Sequence, residues 1–147
     1  MQQGLDPLEW AAGSVNILVV DDEILSSRAI LFALEKVGLK AVAVEDPETA
    51  LKLAQEKAYD LVFLDVMMPR MDGFDLCARI HALPANRHTP VIFVTSLNDF
   101  KSRARSTLSG GTDLIAKPFL FIELGVKALT YLLRAHQAQR QPARRAA

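Results

Sequence analysis

Cysteine occurs once in the 147 residues, at position 77, so no internal disulfide can form and nothing points to an oxidising compartment. No apolar run approaches the ~20 residues of a membrane span. Residues 1–14, MQQGLDPLEWAAGS, lack the basic start and apolar centre of a secretory signal. Internal repeats, zinc-type spacings and a glycine-rich phosphate loop are also missing. Net charge is absent overall but unevenly placed. Residues 134–147 hold Arg134, Arg140, Arg144 and Arg145 and no acid, which leaves 13 bases against 17 acids, or −4, in the rest. An acidic body argues against direct nucleic-acid binding. A soluble cytoplasmic protein without membrane association is expected.

What is present is ordinary globular material: half the residues are apolar and 23% are charged. A chain of this length hides roughly 70% of its unfolded surface, enough for one domain without metal or disulfide staples. The expected organisation is an N-terminal extension over 1–14, one folded domain over 15–135, and a basic tail or linker over 136–147, within the polar stretch RAHQAQRQPARRAA at 134–147. Trp10 is open to two readings, packing on the domain or belonging to a disordered extension.

Strand and helix signals alternate. Ile17–Val20, Ala41–Val44, Leu61–Leu64, Val91–Thr95 and Leu114–Ala116 are short apolar runs that read as buried strands. Between and after them lie five helical stretches. Ile24–Val37 puts Ile30, Ala33, Leu34 and Val37 on one face and stops at Gly38; Asp46 and Pro47 supply an N-cap and first residue for the next. Gly73–Leu83 turns Leu76, Cys77, Ile80 and Leu83 inward, Asp99–Leu108 follows, and Leu120–Ala135 repeats Phe121, Leu124, Ala128, Tyr131 and Leu132 at helical spacing. The pattern predicts an α/β, doubly wound parallel sheet of five strands with five helices.

Ligands of such sheets bind beyond the carboxyl ends of the strands. There the sequence has Asp21, Asp22 and Glu23 after the first strand, Asp65 after the third, Thr95 and Ser96 at the fourth, and Lys117 and Pro118 after the fifth. Carboxylates would repel a dinucleotide phosphate, but three of them converging suit a hard divalent cation, Mg²⁺ above all. Lys117 and Thr95 add a cation and a hydroxyl, so the bound group should be anionic and rich in oxygen. A phosphoryl group fits, with an Asp carboxylate able to attack phosphorus in line and form an aspartyl phosphate. Taken singly, each residue has a plainer reading: Asp21 or Asp22 as the cap of the helix near Ile24, Asp65 as a solvated loop residue, Lys117 as a surface lysine, and Thr95 as a strand former. Only the joint placement favours chemistry.

The ordered set VVDDE at 19–23, LVFLDVMMPRMDG at 61–73, VIFVTS at 91–96 and AKPF at 116–119 resembles the receiver domain of bacterial two-component response regulators, of the chemotaxis-regulator type, over about residues 15–135. The resemblance implies a flavodoxin-like sheet of order 2-1-3-4-5. It implies that Asp65 accepts the phosphoryl group, that Asp21, Asp22, Asp65 and the backbone carbonyl of Met67 hold Mg²⁺, and that Thr95 and Lys117 bind phosphoryl oxygens. A cis Lys117–Pro118 bond belongs to the same expectation. The implied partners are a histidine kinase or histidine phosphotransfer protein as donor, a downstream protein, and a second copy in a homodimer. The implied role is that of a switch and not an enzyme.

Departures from the family pattern stand at three positions. Leu114 takes the place of the usual aromatic residue three before the lysine, so the ring that in the family couples the threonine to the face around the fifth strand is missing. Met67 and Leu97, two residues beyond Asp65 and Thr95, are apolar where polar side chains would orient an attacking water, so slow loss of phosphate is expected. Lys101, Arg103 and Arg105 read as a solvated face or as a patch for an acidic partner or a second copy. Two alternatives fit less of the sequence. A haloacid-dehalogenase-like phosphatase needs a second Asp where Met67 stands, and a phosphorylation-independent scaffold usually lacks the acceptor or the lysine, both present here. His81, His88 and His136 show no ligand spacing.

Overall fold

The computed structural model describes residues 15–96 and 110–140. In chain order they form β1 (Ile17–Val20), α1 (Ile24–Lys36), β2 (Val42–Val44), α2 (Pro47–Glu56), β3 (Leu61–Leu64), α3 (Gly73–His81), a single 3₁₀ turn (Pro84–Asn86), β4 (Val91–Thr95), β5 (Asp113–Ala116) and α4 (Phe121–Arg140). All strand pairings are parallel and the order is β2-β1-β3-β4-β5, as expected. Four α-helices lie among the described residues; the expected helix over 99–108, with Lys101, Arg103 and Arg105, lies outside them, as does Trp10.

Both faces of the sheet are covered, which is why its strands read as unbroken apolar runs. Successive side chains alternate. Ile17, Val19, Phe63, Ile92 and Val94 pack with Ile30 and Leu34 of α1 and Leu124, Ala128 and Leu132 of α4. Leu18, Val20, Val62, Leu64 and Phe93 pack with Ala50 and Ala54 of α2 and Leu76, Cys77 and Ile80 of α3. Each fully buried side chain of this kind contributes about 1.5–3 kcal/mol. The outer strand β2 is shorter than expected, beginning at Val42, and its three residues are not buried.

Local signals fix the helix ends. Asp46 caps α2, its carboxylate accepting from the Thr49 amide at 3.4 Å, with Pro47 as the first helical residue. Gly38 takes a left-handed φ of 82° and closes α1, its amide donating to the Glu35 carbonyl at 3.0 Å. At the other end of the chain α4 continues through Arg140, beyond the expected stop at Ala135, since residues 136–140 contain no glycine or proline to break it. Phe121, expected inward, is 44% exposed: α1 lies opposite it, and its ring meets Phe32 edge-on at 4.8 Å between centroids.

Below the sheet, at the amino ends of the strands, one buried amide ties four segments together. Asn86 Nδ2 donates to the carbonyls of Ala54 (2.7 Å) and Lys57 (3.0 Å), and its Oδ1 accepts from the Tyr59 amide (2.7 Å) and the Thr89 hydroxyl (2.9 Å). All four hydrogen-bonding positions of the amide are used. Among the described residues no helix is long and apolar enough to cross a membrane.

Candidate functional site

The carboxyl ends of β1, β3, β4 and β5 bring Asp21, Asp65, Thr95 and Lys117 to one rim, because these strands lie side by side and each residue ends or follows its strand. Asp21 and Thr95 are fully buried, Asp65 is 4% exposed, and Asp22 is exposed. One carboxylate oxygen from each of Asp21, Asp22 and Asp65 lies within 4.8 Å of the others. Backbone bonds hold the rim in register: the Asp65 amide donates to Val20 O at 2.9 Å, and the Lys117 amide to Thr95 O at 2.9 Å.

Asp21 is the most heavily bonded of the three acids. Its Oδ1 accepts from the Glu23 amide at 2.9 Å; its Oδ2 accepts from Ser26 Oγ at 2.5 Å and from Lys117 Nζ at 3.0 Å. Neither Asp21 nor Asp22 caps α1, whose N-cap is Glu23 without a side-chain cap bond, so the plain capping reading of the pair fails. Lys117 also reaches Glu23 Oε1 at 3.4 Å and Asp65 Oδ2 at 3.7 Å. Asp65 Oδ1 accepts from the Met67 amide at 3.4 Å, while the Met67 side chain is 61% exposed. The Lys117–Pro118 bond is cis.

Crowded carboxylates in a dry place resist ionisation. Burial, and next the charge of Asp21, push Asp65 up to about 6, against the pull of Lys117. For Lys117 burial works downward, but the hydrogen bond to Asp21 and the charges of Asp21 and Asp65 outweigh it and hold the ammonium above its ordinary value. Three hard oxygen donors with one ammonium between two of them fit a small divalent cation and an oxyanion together. No soft donor stands among them.

Two contributors escaped the sequence reading. Ser26 bonds the buried carboxylate from the first turn of α1, yet nothing in the sequence separates it from any helical serine. Gly73 marks the start of α3, and a Cβ there would lie 2.2 Å from the Asp65 carbonyl oxygen. Its amide donates to Val66 O at 2.9 Å, so the helix enters directly against the Asp65 backbone. The Asp-Gly pair at 72–73 was legible as a turn and helix start, but not as this close approach. Of the departures noted in the sequence, Leu114 is half-buried against the α2 and α3 face of the sheet, and Leu97 lies outside the described residues.

The family model described as the response regulator receiver domain matches residues 17–129. Transcriptional activator protein IrlR of Burkholderia pseudomallei (strain 1026b) is 36% identical over 125 residues, which are 85% of this chain and 53% of that protein. The Francisella response regulator 1452 receiver domain superposes with a TM-score of 0.75 at 29% identity, covering 83% of this chain and 99% of its own. The receiver domain of sensor histidine kinase PA1611 from Pseudomonas aeruginosa PAO1, with a magnesium ion coordinated in its active site cleft, gives 0.75 at 27% identity, covering 82% and 98%. The chain spans about half the length of curated relatives such as IrlR.

Proposed function

The chain belongs to the response regulator receiver domain family, and from that premise we propose that it is a phosphorylatable switch in a two-component phosphorelay, with Asp65 as the acceptor. The observation that carries this reading is the meeting of Asp21, Asp22 and Asp65 within 4.8 Å, with the Lys117 ammonium 3.0 Å from Asp21 and 3.7 Å from Asp65. The donor is a phosphohistidine on a histidine kinase or a histidine phosphotransfer protein. An Asp65 carboxylate oxygen attacks phosphorus in line, an O–P bond forms as the N–P bond breaks, and the imidazole leaves.

Asp21, Asp22, Asp65 and the Met67 carbonyl would hold Mg²⁺, which when bound offsets the charge of the carboxylates and of the phosphoryl oxygens. Lys117 takes one phosphoryl oxygen and the Thr95 hydroxyl another, in a pocket dry enough to strengthen both contacts. Asp21 positions Lys117. Ser26 and the Glu23 amide in turn fix Asp21, so the lysine is oriented before the donor arrives. The phosphorylated form then differs in its affinity for a downstream protein or for a second copy, and nothing in the acidic surface favours direct nucleic-acid contact by this domain.

The test is intact mass after incubation with acetyl phosphate and Mg²⁺, beside Asp65→Asn and an EDTA control. One added phosphoryl group, lost in both controls, is expected. Folded protein that binds Mg²⁺ and stays unmodified even with phosphohistidine donors would overturn the switch.

A further inference from the structure

The helix α4 carries two apolar stripes. Leu124, Ala128 and Leu132 are buried in the core. Ile122, Val126, Leu129 and Leu133 recur at 4-3-4 spacing. At 3.6 residues per turn this confines them to an arc of about 60°, centred about 130° round the helix from the buried stripe. That is the spacing of a coiled-coil seam. Among the described residues nothing covers its first half: Ile122 is 69% and Val126 52% exposed, while Leu129 and Leu133 are half-buried. Phe32 of α1, exposed and edge-on to Phe121, continues the apolar surface onto the neighbouring helix. The Thr130 hydroxyl beside the seam is already satisfied, donating to the Val126 carbonyl at 2.8 Å. None of this serves the phosphoryl chemistry, whose residues stand before α4 in the chain.

The seam is its own complement. Its spacing reads the same in both directions, so an antiparallel copy of α4 sets Ile122 against Leu133 of the second copy and Val126 against its Leu129, each pair occurring twice about a two-fold axis. The charges agree with that direction. Glu123 in the first turn and Arg134 toward the far end are both exposed on one flank of the seam. Antiparallel pairing brings each Glu123 beside Arg134 of the other copy, whereas parallel pairing sets like against like. The other charges nearby do not oppose it. Lys127 is held by Asp113 at 2.8 Å, and on α1 the exposed Arg28, Glu35 and Lys36 leave one net positive charge, with Lys36 lying over its own Phe32 ring at 4.8 Å. We propose that two copies of this chain pair antiparallel through the outer seam of α4, with their acidic rims pointing in opposite directions and no phosphoryl group required. The seam runs along only ~17 Å of helix, a small contact that suits a reversible, micromolar association.

Sedimentation velocity of the intact, unphosphorylated 147-residue chain, from low-micromolar to near-millimolar concentration, should show a reversible monomer-dimer equilibrium. Val126→Glu, at an exposed position, should weaken it by about tenfold or more, with circular dichroism and melting temperature unchanged. Glu123→Arg should also weaken it, and adding Arg134→Glu to that variant should restore it. Direction is read by disulfide crosslinking. Chains carrying Val126→Cys mixed with chains carrying Leu129→Cys should crosslink faster than either alone, the native Cys77 being buried and out of reach. A chain that stays monomeric throughout the range would overturn the proposal and leave the seam to a different protein. A dimer indifferent to Val126→Glu would place the interface elsewhere. Crosslinks that form fastest within the Val126→Cys chains alone, or a charge exchange that fails to restore pairing, would make the packing something other than antiparallel, and either result also overturns it.

Discussion

The Lys117 ammonium stands closer to Asp21 than to Asp65, 3.0 Å against 3.7 Å, so its direct hydrogen bond goes to Asp21 and not to the proposed acceptor. One cation is thereby set between two buried carboxylates that would otherwise repel each other. Replacing it separates two roles that the geometry combines. Lys117→Gln should lower the rate of phosphorylation from acetyl phosphate by tenfold or more, about 1.4 kcal/mol of lost transition-state stabilisation. It should leave Mg²⁺ affinity equal or higher, since a competing positive charge is gone. Mg²⁺ titration beside single-turnover phosphorylation checks both; parallel losses in the two would mean that the lysine only props up the site.

Asp65 sets a pH dependence whose sign follows from its burial. A carboxyl raised from 3.8 to about 6 in the folded chain binds its proton more tightly folded than unfolded. Its contribution is therefore most favourable below about pH 4 and is lost as pH rises through about 6. At neutral pH without metal the ionised acceptor costs on the order of 1–3 kcal/mol. Asp65→Asn should raise the melting temperature in EDTA at pH 7, with the gain shrinking toward pH 4, and Mg²⁺ should restore much of the difference to the unsubstituted chain. Thermal melts across that range, with and without metal, decide it; an Asn variant less stable at pH 7 in EDTA would contradict the electrostatic account.

Strand ends were legible because the sheet is buried on both faces: Leu61–Leu64 is apolar without interruption, and the first charged residue after it, Asp65, is the first to reach the rim. The same holds for β1 and Asp21. What the sequence hid were contacts between residues with no shared periodicity. Nothing in the sequence sets Asn86 apart, yet its amide joins the end of α2, the start of β3 and the approach to β4. Ser26 looked like an ordinary helical serine. The stop of α4 was misread for a different reason: the basic composition after Arg134 suggested a solvated tail, whereas Ala, Gln and Arg are good helix formers and the helix runs on to Arg140.

Gly73 should tolerate no side chain. Its Cβ would press on the Asp65 carbonyl oxygen at 2.2 Å and approach Val66 Cα at 3.0 Å, both backbone atoms that cannot rotate away. Gly73→Ala must shift α3 or the segment that presents Asp65, at a cost of about 1–3 kcal/mol. The expected result is a lower urea midpoint with an unchanged slope, together with a phosphorylation rate that falls by more than the stability loss explains at saturating folding conditions. Phosphorylation at the original rate in the folded fraction would show that the entry of α3 does not position the acceptor.

Loss of the phosphoryl group should be slow because of what borders Asp65. The Met67 amide bonds Asp65 at 3.4 Å, so the residue is fixed beside it, while its thioether side chain extends into solvent without a group to hold a water in line. An asparagine at the same position keeps the backbone bond and adds an amide that can accept and donate to such a water. Met67→Asn should therefore shorten the lifetime of the phosphorylated form several-fold, and combining it with Leu97→Glu should shorten it further. The forward rate should change little with Met67→Asn, which keeps the backbone amide that bonds Asp65. Phosphate release followed after removal of acetyl phosphate measures the lifetime. A double variant that decays no faster than the parent would place control of hydrolysis elsewhere, in the burial of Asp65 itself.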